Sequence, residues 1–228
     1  FIMALGKPVI FDGSLQRQIQ RGDILAGAET FTALTTVGAG TLSAALLLSN
    51  LLTRTGPTGA YTDTTDTAAN IVQALIGAGY GNSINNGLSS GLAIQNGTTF
   101  RLRYINTVAF AMTLAAGTGV TLGSNTGISA SSVKDYLLTV LNGTAVSTAN
   151  ASTVSGSAVV TGMSQFATAQ LSVGEIITGT GFSGNPTIIS VQQGIGFTAS
   201  ANAGSTNPIT SLTFSPSIRI DSLGQMLL

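Results

Sequence analysis

The sequence contains no cysteine and no histidine. It therefore excludes disulfide bonds, thiolate nucleophiles, His- or Cys-based zinc sites and imidazole acid–base catalysis. Charged residues make up only 7% of the 228 residues, and eight basic side chains balance eight acidic ones. A chain without net charge lacks the basic face that binding to nucleic acid or to an anionic membrane surface requires.

Long apolar runs are also missing, although the mean hydropathy is +0.43. The longest runs, at residues 42–52 and 108–116, are interrupted by Ser, Asn or Thr. Both are well short of the roughly 20 apolar residues that span a bilayer as a helix. The sequence thus predicts no membrane partner. Proteins with large neutral surfaces tend to associate in solution. This composition is therefore typical of a component of an assembly.

Residues 98–143 have the clearest strand pattern in the chain. Apolar side chains alternate with basic ones in the order Phe100, Arg101, Leu102, Arg103, Tyr104. A period of two is the pattern of a half-buried strand. Three more strands are predicted in this segment, at residues 108–114, 120–122 and 136–141. Short polar turns separate all four, so we expect an antiparallel meander.

Two short helices are predicted before this sheet. The first lies within residues 40–50, with Thr41 or Ser43 as its N-cap. The second covers residues 68–77, with Thr65 or Asp66 as its cap and apolar residues at helical spacing. We interpret residues 61–67 as a Thr- and Asp-rich loop between them.

The resulting fold class is mainly β, with an α+β main domain and a small all-β barrel or sandwich. Residues 1–36 are predicted to form an extended arm and lead-in strand. The main antiparallel β domain with two short helices covers residues 37–148 and 217–228. Short strands separated by Gly-rich turns indicate a small projecting β domain at residues 149–216.

Few residues offer chemistry. Asp63 and Asp66 share one loop and could bind a cation, but their spacing lacks a ladder of oxygen ligands, so helix capping by Asp66 is favoured. The tripeptide Arg21-Gly22-Asp23 matches an integrin-binding motif, yet Gly-Asp is ordinary turn chemistry. No pair of acids is placed for glycoside hydrolysis. We therefore expect no enzyme, no catalytic residue, no cofactor and no metal.

Arg101 and Arg103 project from one face of their predicted strand. They could pair with a carboxylate of a partner chain, or they could lie on a solvated strand face, where exposed ion pairs contribute little.

Three segments resemble virion structural proteins of tailed bacteriophages. They are GTLSAALLLSNLLTRTGPTGAYTDTTDTAANIVQAL with FRLRYINTVAFAMTLAAGTGVTL, the module SGSAVVTGMSQFATAQLSVGEIITGTGFSGNPTIISV, and the lead-in QRQIQRGDIL. The chain is most similar to capsid decoration (cement) proteins. That resemblance implies a β domain on the capsid surface, bound to the major capsid protein and often trimeric. The alternatives are a tail-fibre or spike protein that binds a host receptor and, less favoured, a glycan depolymerase.

The partner-binding residues of this hypothesis lie in the arm. Residues 4–25 have few apolar groups and could become ordered on a strand edge or groove of a neighbour. We expect Val9, Ile10 and Phe11 to dock there, with Leu15 and Ile19 continuing the strand.

Overall fold

A computed structural model describes residues 9–12, 15–18, 31–80, 82–85, 90–144 and 146–228. The strands are β1 Val9–Asp12, β2 Leu15–Gln18, β3 Phe31–Leu34, β4 Gly40–Leu42, β5 Leu51–Arg54, β6 Tyr61–Thr65, β7 Asn82–Asn85, β8 Ser90–Ala93, β9 Thr99–Asn106, β10 Met112–Ala115, β11 Val120–Leu122, β12 Ser132–Asn142, β13 Ser147–Thr153, β14 Val159–Val160, β15 Ile176–Gly179, β16 Ile188–Gln192, β17 Gly196–Ala199, β18 Asn207–Ser215 and β19 Ser217–Leu227. The α-helices are α1 Ala44–Leu47, α2 Ala68–Leu75 and α3 Gln165–Ala169.

A six-stranded mixed sheet in the order β11-β19-β12-β9-β5-β3 forms the largest layer. Its middle strands β9, β12 and β19 pair antiparallel. Its outer strands join in parallel, β11 to β19 on one side and β3 to β5 to β9 on the other. Along β9 and β12 alternate residues face inward, so each strand has one buried face.

A second sheet and two helices complete the first core. The sheet has the order β10-β6-β4, with parallel pairs throughout. Thr67 is the N-cap of helix α2, and its side chain accepts a hydrogen bond from Asn70 N at 3.2 Å. Its buried residues follow the spacing i, i+3, i+4, i+7, as expected for a helix with one apolar face; they are Ala68, Ile71, Val72 and Leu75.

The later part of the chain has a core of its own. Two three-stranded sheets, β13-β18-β15 and β14-β17-β16, contribute to it. Isolated bridges at Ser152–Thr161 and Ile176–Thr187 connect the edges of the two sheets, so the six strands close into a small barrel. Phe197 and Phe214 meet edge to face inside it, with ring centroids 5.5 Å apart.

The mainly-β class with short helices is confirmed, as is the alternation that buries Leu102 and Tyr104. The four-stranded meander is wrong. Strand β10 (Met112–Ala115) pairs with β6 in the second sheet, and β11 (Val120–Leu122) pairs in parallel with β19. Both strands therefore pair with segments that are distant in the sequence. The supposed loop at residues 61–67 contains strand β6.

Helix details also differ from expectation. Ser43 caps α1 as predicted, but Thr67, rather than Thr65 or Asp66, caps α2. The barrel carries a third helix, α3, capped by Ser164. In the part of the chain that the structure describes, no helix has the length and apolarity needed to cross a bilayer.

The core generates a direct test with Leu102→Ala. Leu102 is 1% exposed within the first core, so truncation should lower the free energy of unfolding by about 2–5 kcal/mol. Denaturant titration of the purified chain measures this loss. Ile209→Ala, at a position 77% exposed, serves as the control and should change it little. A Leu102 variant as stable as that control would contradict the assignment of this core.

Candidate functional site

Arg54 and Asp63 form a fully buried ion pair, in which both side chains are 0% exposed. Arg54 lies at the end of β5, and Asp63 lies in the middle of β6. Arg54 Nε donates to Asp63 Oδ2 at 3.1 Å, and its Nη1 donates to the carbonyl oxygens of Leu34 and Thr36. The guanidinium therefore connects three separate segments.

Two tyrosines extend this network. Tyr104 Oη donates to Asp63 Oδ2 at 2.6 Å, and Tyr61 Oη donates to Asn106 Oδ1 at 2.9 Å. Arg54 also lies over the Tyr61 ring, 5.0 Å from its centroid. Burial raises the pKa of Tyr104 and, with less effect, that of Tyr61. Both hydroxyls donate hydrogen bonds inside the molecule, so the network connects β5, β6 and β9.

The acidic pair that suggested a cation has two separate roles. Asp63 neutralises Arg54, as described. Asp66 accepts hydrogen bonds from Ala44 N at 3.0 Å, Thr67 N at 2.8 Å and Asn70 Nδ2 at 2.6 Å. It thus supports the first turns of both α1 and α2. Among the described residues, no group of three or more potential metal ligands comes together.

Lys134 is a second buried cation that the sequence did not reveal. It is 5% exposed on the inward face of β12, and its Nζ donates to the carbonyl oxygens of Asn125 and Gly127. The neighbouring Tyr136 Oη donates to the carbonyl oxygen of Thr126. Burial lowers the pKa of Lys134. Two polar side chains on one strand therefore fix the turn after β11.

Glu175 is a buried acid where the barrel meets the main sheet. Its Oε1 accepts from Thr144 Oγ1, and its Oε2 accepts from Ser172 N at 3.1 Å. Nearby, Asn142 Nδ2 donates to the carbonyl oxygen of Val173 and Ser217 Oγ to that of Gly174. Burial raises the pKa of Glu175 to about 6. No local pattern in the sequence predicts this junction, because its partners lie about 30 or more positions apart.

On the outer face of the main sheet, Arg101 and Arg103 lie beside Asp135. Arg103 makes a bidentate pair, with Nε and Nη2 at 2.8 and 2.9 Å from the two carboxylate oxygens. Arg101 Nη2 is 3.9 Å from Asp135 Oδ2, and its side chain is 70% exposed. Arg103 above all holds the pKa of Asp135 below its usual range. Together with Asn50 and Leu51, these side chains line an open cleft of about 350 Å³.

An apolar strand edge lies at the far end of β19. Strand β11 covers this edge only at residues 218–220, and beyond it β19 has no outer strand partner within the described ranges. Leu223, Met226 and Leu227 are 48%, 60% and 81% exposed there. A bulge leaves Leu223 without a partner on β12.

The predicted arm is described only in part. Residues Val9–Asp12 pair antiparallel with Leu15–Gln18, so Val9, Ile10 and Phe11 share a hairpin with Leu15. Ile19 and the Arg21-Gly22-Asp23 tripeptide lie outside the described residues. The role of these five arm residues in partner binding stays a prediction.

Removing the buried guanidinium tests whether the network holds the fold. Arg54→Ala leaves Asp63 buried without a counter-charge, so we expect a loss of about 3–5 kcal/mol in the free energy of unfolding. Denaturant titration provides the measurement. Arg101→Ala is the matched control, because Arg101 is 70% exposed and its ion pair is of the weak surface kind. Equal stabilities for the two variants would refute the structural role of the network.

Glu175→Gln tests the junction through pH. The folded pKa of about 6 exceeds the ordinary value of 4.5, so folding favours the protonated acid. The stability from this group is present below pH 4.5 and lost as pH rises through 6. The variant should match the parent near pH 4 and be more stable above pH 7 by about 2 kcal/mol. Denaturant titrations from pH 4 to 8 give the free energy of unfolding of both proteins. The difference between the two removes the contributions of Asp66 and Asp135, which both proteins share. A difference that does not change with pH would contradict the assignment.

Comparison of the chain with known proteins gives no relative: no family model, curated protein or solved structure matches it.

Proposed function

We propose that this chain is a non-enzymatic virion structural protein that binds the outside of a phage capsid and stabilises the shell. The observation that carries the proposal is the open edge of β19, where Leu223, Met226 and Leu227 are exposed. The resemblance of the sequence to decoration proteins supplies the kind of partner.

An open strand edge needs an explanation in a stable protein. Unpaired backbone groups on such an edge form a template for another chain, and proteins usually protect them with charge, proline or a cover. Residues 222–228 contain neither a charged residue nor a proline. Exposed apolar groups beside free backbone donors and acceptors are typical of a surface that binds protein.

The proposed partners are the major capsid protein and further copies of the chain, arranged as a homotrimer. A trimer presents three copies of every weak contact, and linked contacts raise the overall affinity without any new kind of interaction. In this proposal the arm residues Val9, Ile10, Phe11, Leu15 and Ile19 add a second contact to the shell. The protein would then be located on the capsid surface of the virion.

One observation favours the alternative of a receptor-binding tail fibre or spike. On the barrel, Phe166 in α3 and Ile195 in the β16–β17 turn are 60% and 45% exposed. Gly194 N donates to Thr168 Oγ1 at 2.8 Å, which ties that turn to α3. Exposed aromatic and aliphatic groups on a fixed surface are suited to binding a host receptor.

If the β19 edge is the capsid contact, the double variant Met226→Lys/Leu227→Lys should lose capsid binding. Capsids prepared without the chain are incubated with the purified protein, sedimented and imaged by cryo-EM. The parent should occupy lattice positions on the shell, and the variant should bind at least about tenfold more weakly, because two ammonium groups would be desolvated at the contact.

Ile209→Lys is the control, since it adds a charge at a barrel position that is 77% exposed. It should bind like the parent. Undiminished binding by the double variant would exclude the edge as the contact. Cryo-EM of intact virions that shows density for the chain only at the tail tip would replace the capsid proposal with the receptor-binding alternative.

A further inference from the structure

The cleft on the outer face of the main sheet has a rigid floor. Arg103 N donates to the carbonyl oxygen of Asn50 at 2.8 Å, and Asn50 holds a left-handed φ of 65° at the turn into β5. Leu51 pairs with Arg103 in the parallel register of β5 and β9. Backbone pairing therefore fixes the side chains that line the cleft.

Arg101 is held less closely than its neighbour in this cleft. Among the described side chains, Arg103 occupies both oxygens of Asp135 at 2.8 and 2.9 Å. The 3.9 Å separation between Arg101 Nη2 and Asp135 Oδ2 exceeds hydrogen-bond distance. Arg101 thus presents its planar set of donors to solvent from a position 70% exposed.

Other cations of the described side chains have closer partners. Arg54 is paired with Asp63, and Lys134 donates to two backbone carbonyls. Arg219 donates to its neighbour Asp221 at 2.8 and 3.0 Å. In a chain with only eight basic residues, the incompletely paired Arg101 stands apart from these three.

We infer that Arg101 binds a carboxylate of an acidic segment on the major capsid protein, with Arg103 and Asp135 holding the cleft in shape. This inference rests on the proposed capsid function and names the chemistry of one of its contacts. A guanidinium matches a carboxylate with two parallel hydrogen bonds, and arginine is enriched at protein interfaces for that reason. Among the described residues this cleft holds only Arg101 and Arg103 beside Asp135, which is too little for nucleic acid, since nucleic acid is bound by rows of basic residues.

Capsid binding at several salt concentrations tests the inference. Arg101→Glu should weaken binding about tenfold at low salt and flatten its salt dependence, because a like charge now faces the partner. Arg101→Lys should bind with intermediate affinity, since it keeps the charge but loses the planar pair of donors. Thermal unfolding of all variants should match the parent, which separates binding from folding.

Arg219→Gln is the matched control. Arg219 is 51% exposed and paired within its own chain, so its removal should leave capsid binding and the salt slope unchanged. A soluble polyglutamate should compete with the parent for capsids and not with the Arg101→Glu variant.

The outcomes separate the two proposals. A parent that does not bind capsids overturns the proposed function. A parent that binds, together with an Arg101→Glu variant of equal affinity and salt slope, overturns this inference alone. Competition by inorganic phosphate or DNA but not by polyglutamate would also overturn it, and so would an effect of the substitution on self-association instead of capsid binding.

Discussion

The structure depends on one buried ion pair. Arg54 and Asp63 lie on different sheets, and the hydrogen bonds of Arg54 to the carbonyl oxygens of Leu34, Thr36 and Gly38 hold the segment between β3 and β4. The approach is close: a Cβ at Gly40 would lie 2.8 Å from Asp63 Oδ1, so only glycine fits there. A buried ion pair of this kind adds little to the net free energy of unfolding. It nevertheless favours one arrangement of the strands, because any arrangement that separates the two groups leaves a buried charge without a counter-charge.

Other inward polar groups act in the same way. Lys134 and Tyr136 hold three successive carbonyls of one turn, and Glu175 joins the barrel to the end of β12 through Thr144. A neutral chain rich in Ala, Val, Leu and Ile could pack in many ways, since apolar burial is not directional. Buried hydrogen bonds choose among these packings because an unpaired donor or acceptor is costly inside a protein.

Local patterns in the sequence predicted those features of the fold that depend on residues close together along the chain. The alternation of β9 and the Ser43 cap of α1 are such features. Along β12, residues of the same parity face the same side, so Tyr136, Leu138 and Val140 are buried together and Leu137 lies on the opposite face. Parallel pairings, such as β6 with β10, join residues about 50 positions apart and leave no local signal. Nor does the sequence mark Arg54 as buried, because only its distant partner makes burial favourable.

The scarcity of surface charge shapes how the molecule can recognise a partner. Long-range steering is strongest in proteins with a large net charge, and the charges of this chain cancel, with the pair of Arg54 and Asp63 buried. In the proposed capsid binding, association therefore relies on short-range complementarity, from apolar groups on the β19 edge and from the guanidinium of Arg101. Without electrostatic steering, the affinity of such a proposed contact depends mainly on slow dissociation and on the number of linked contacts.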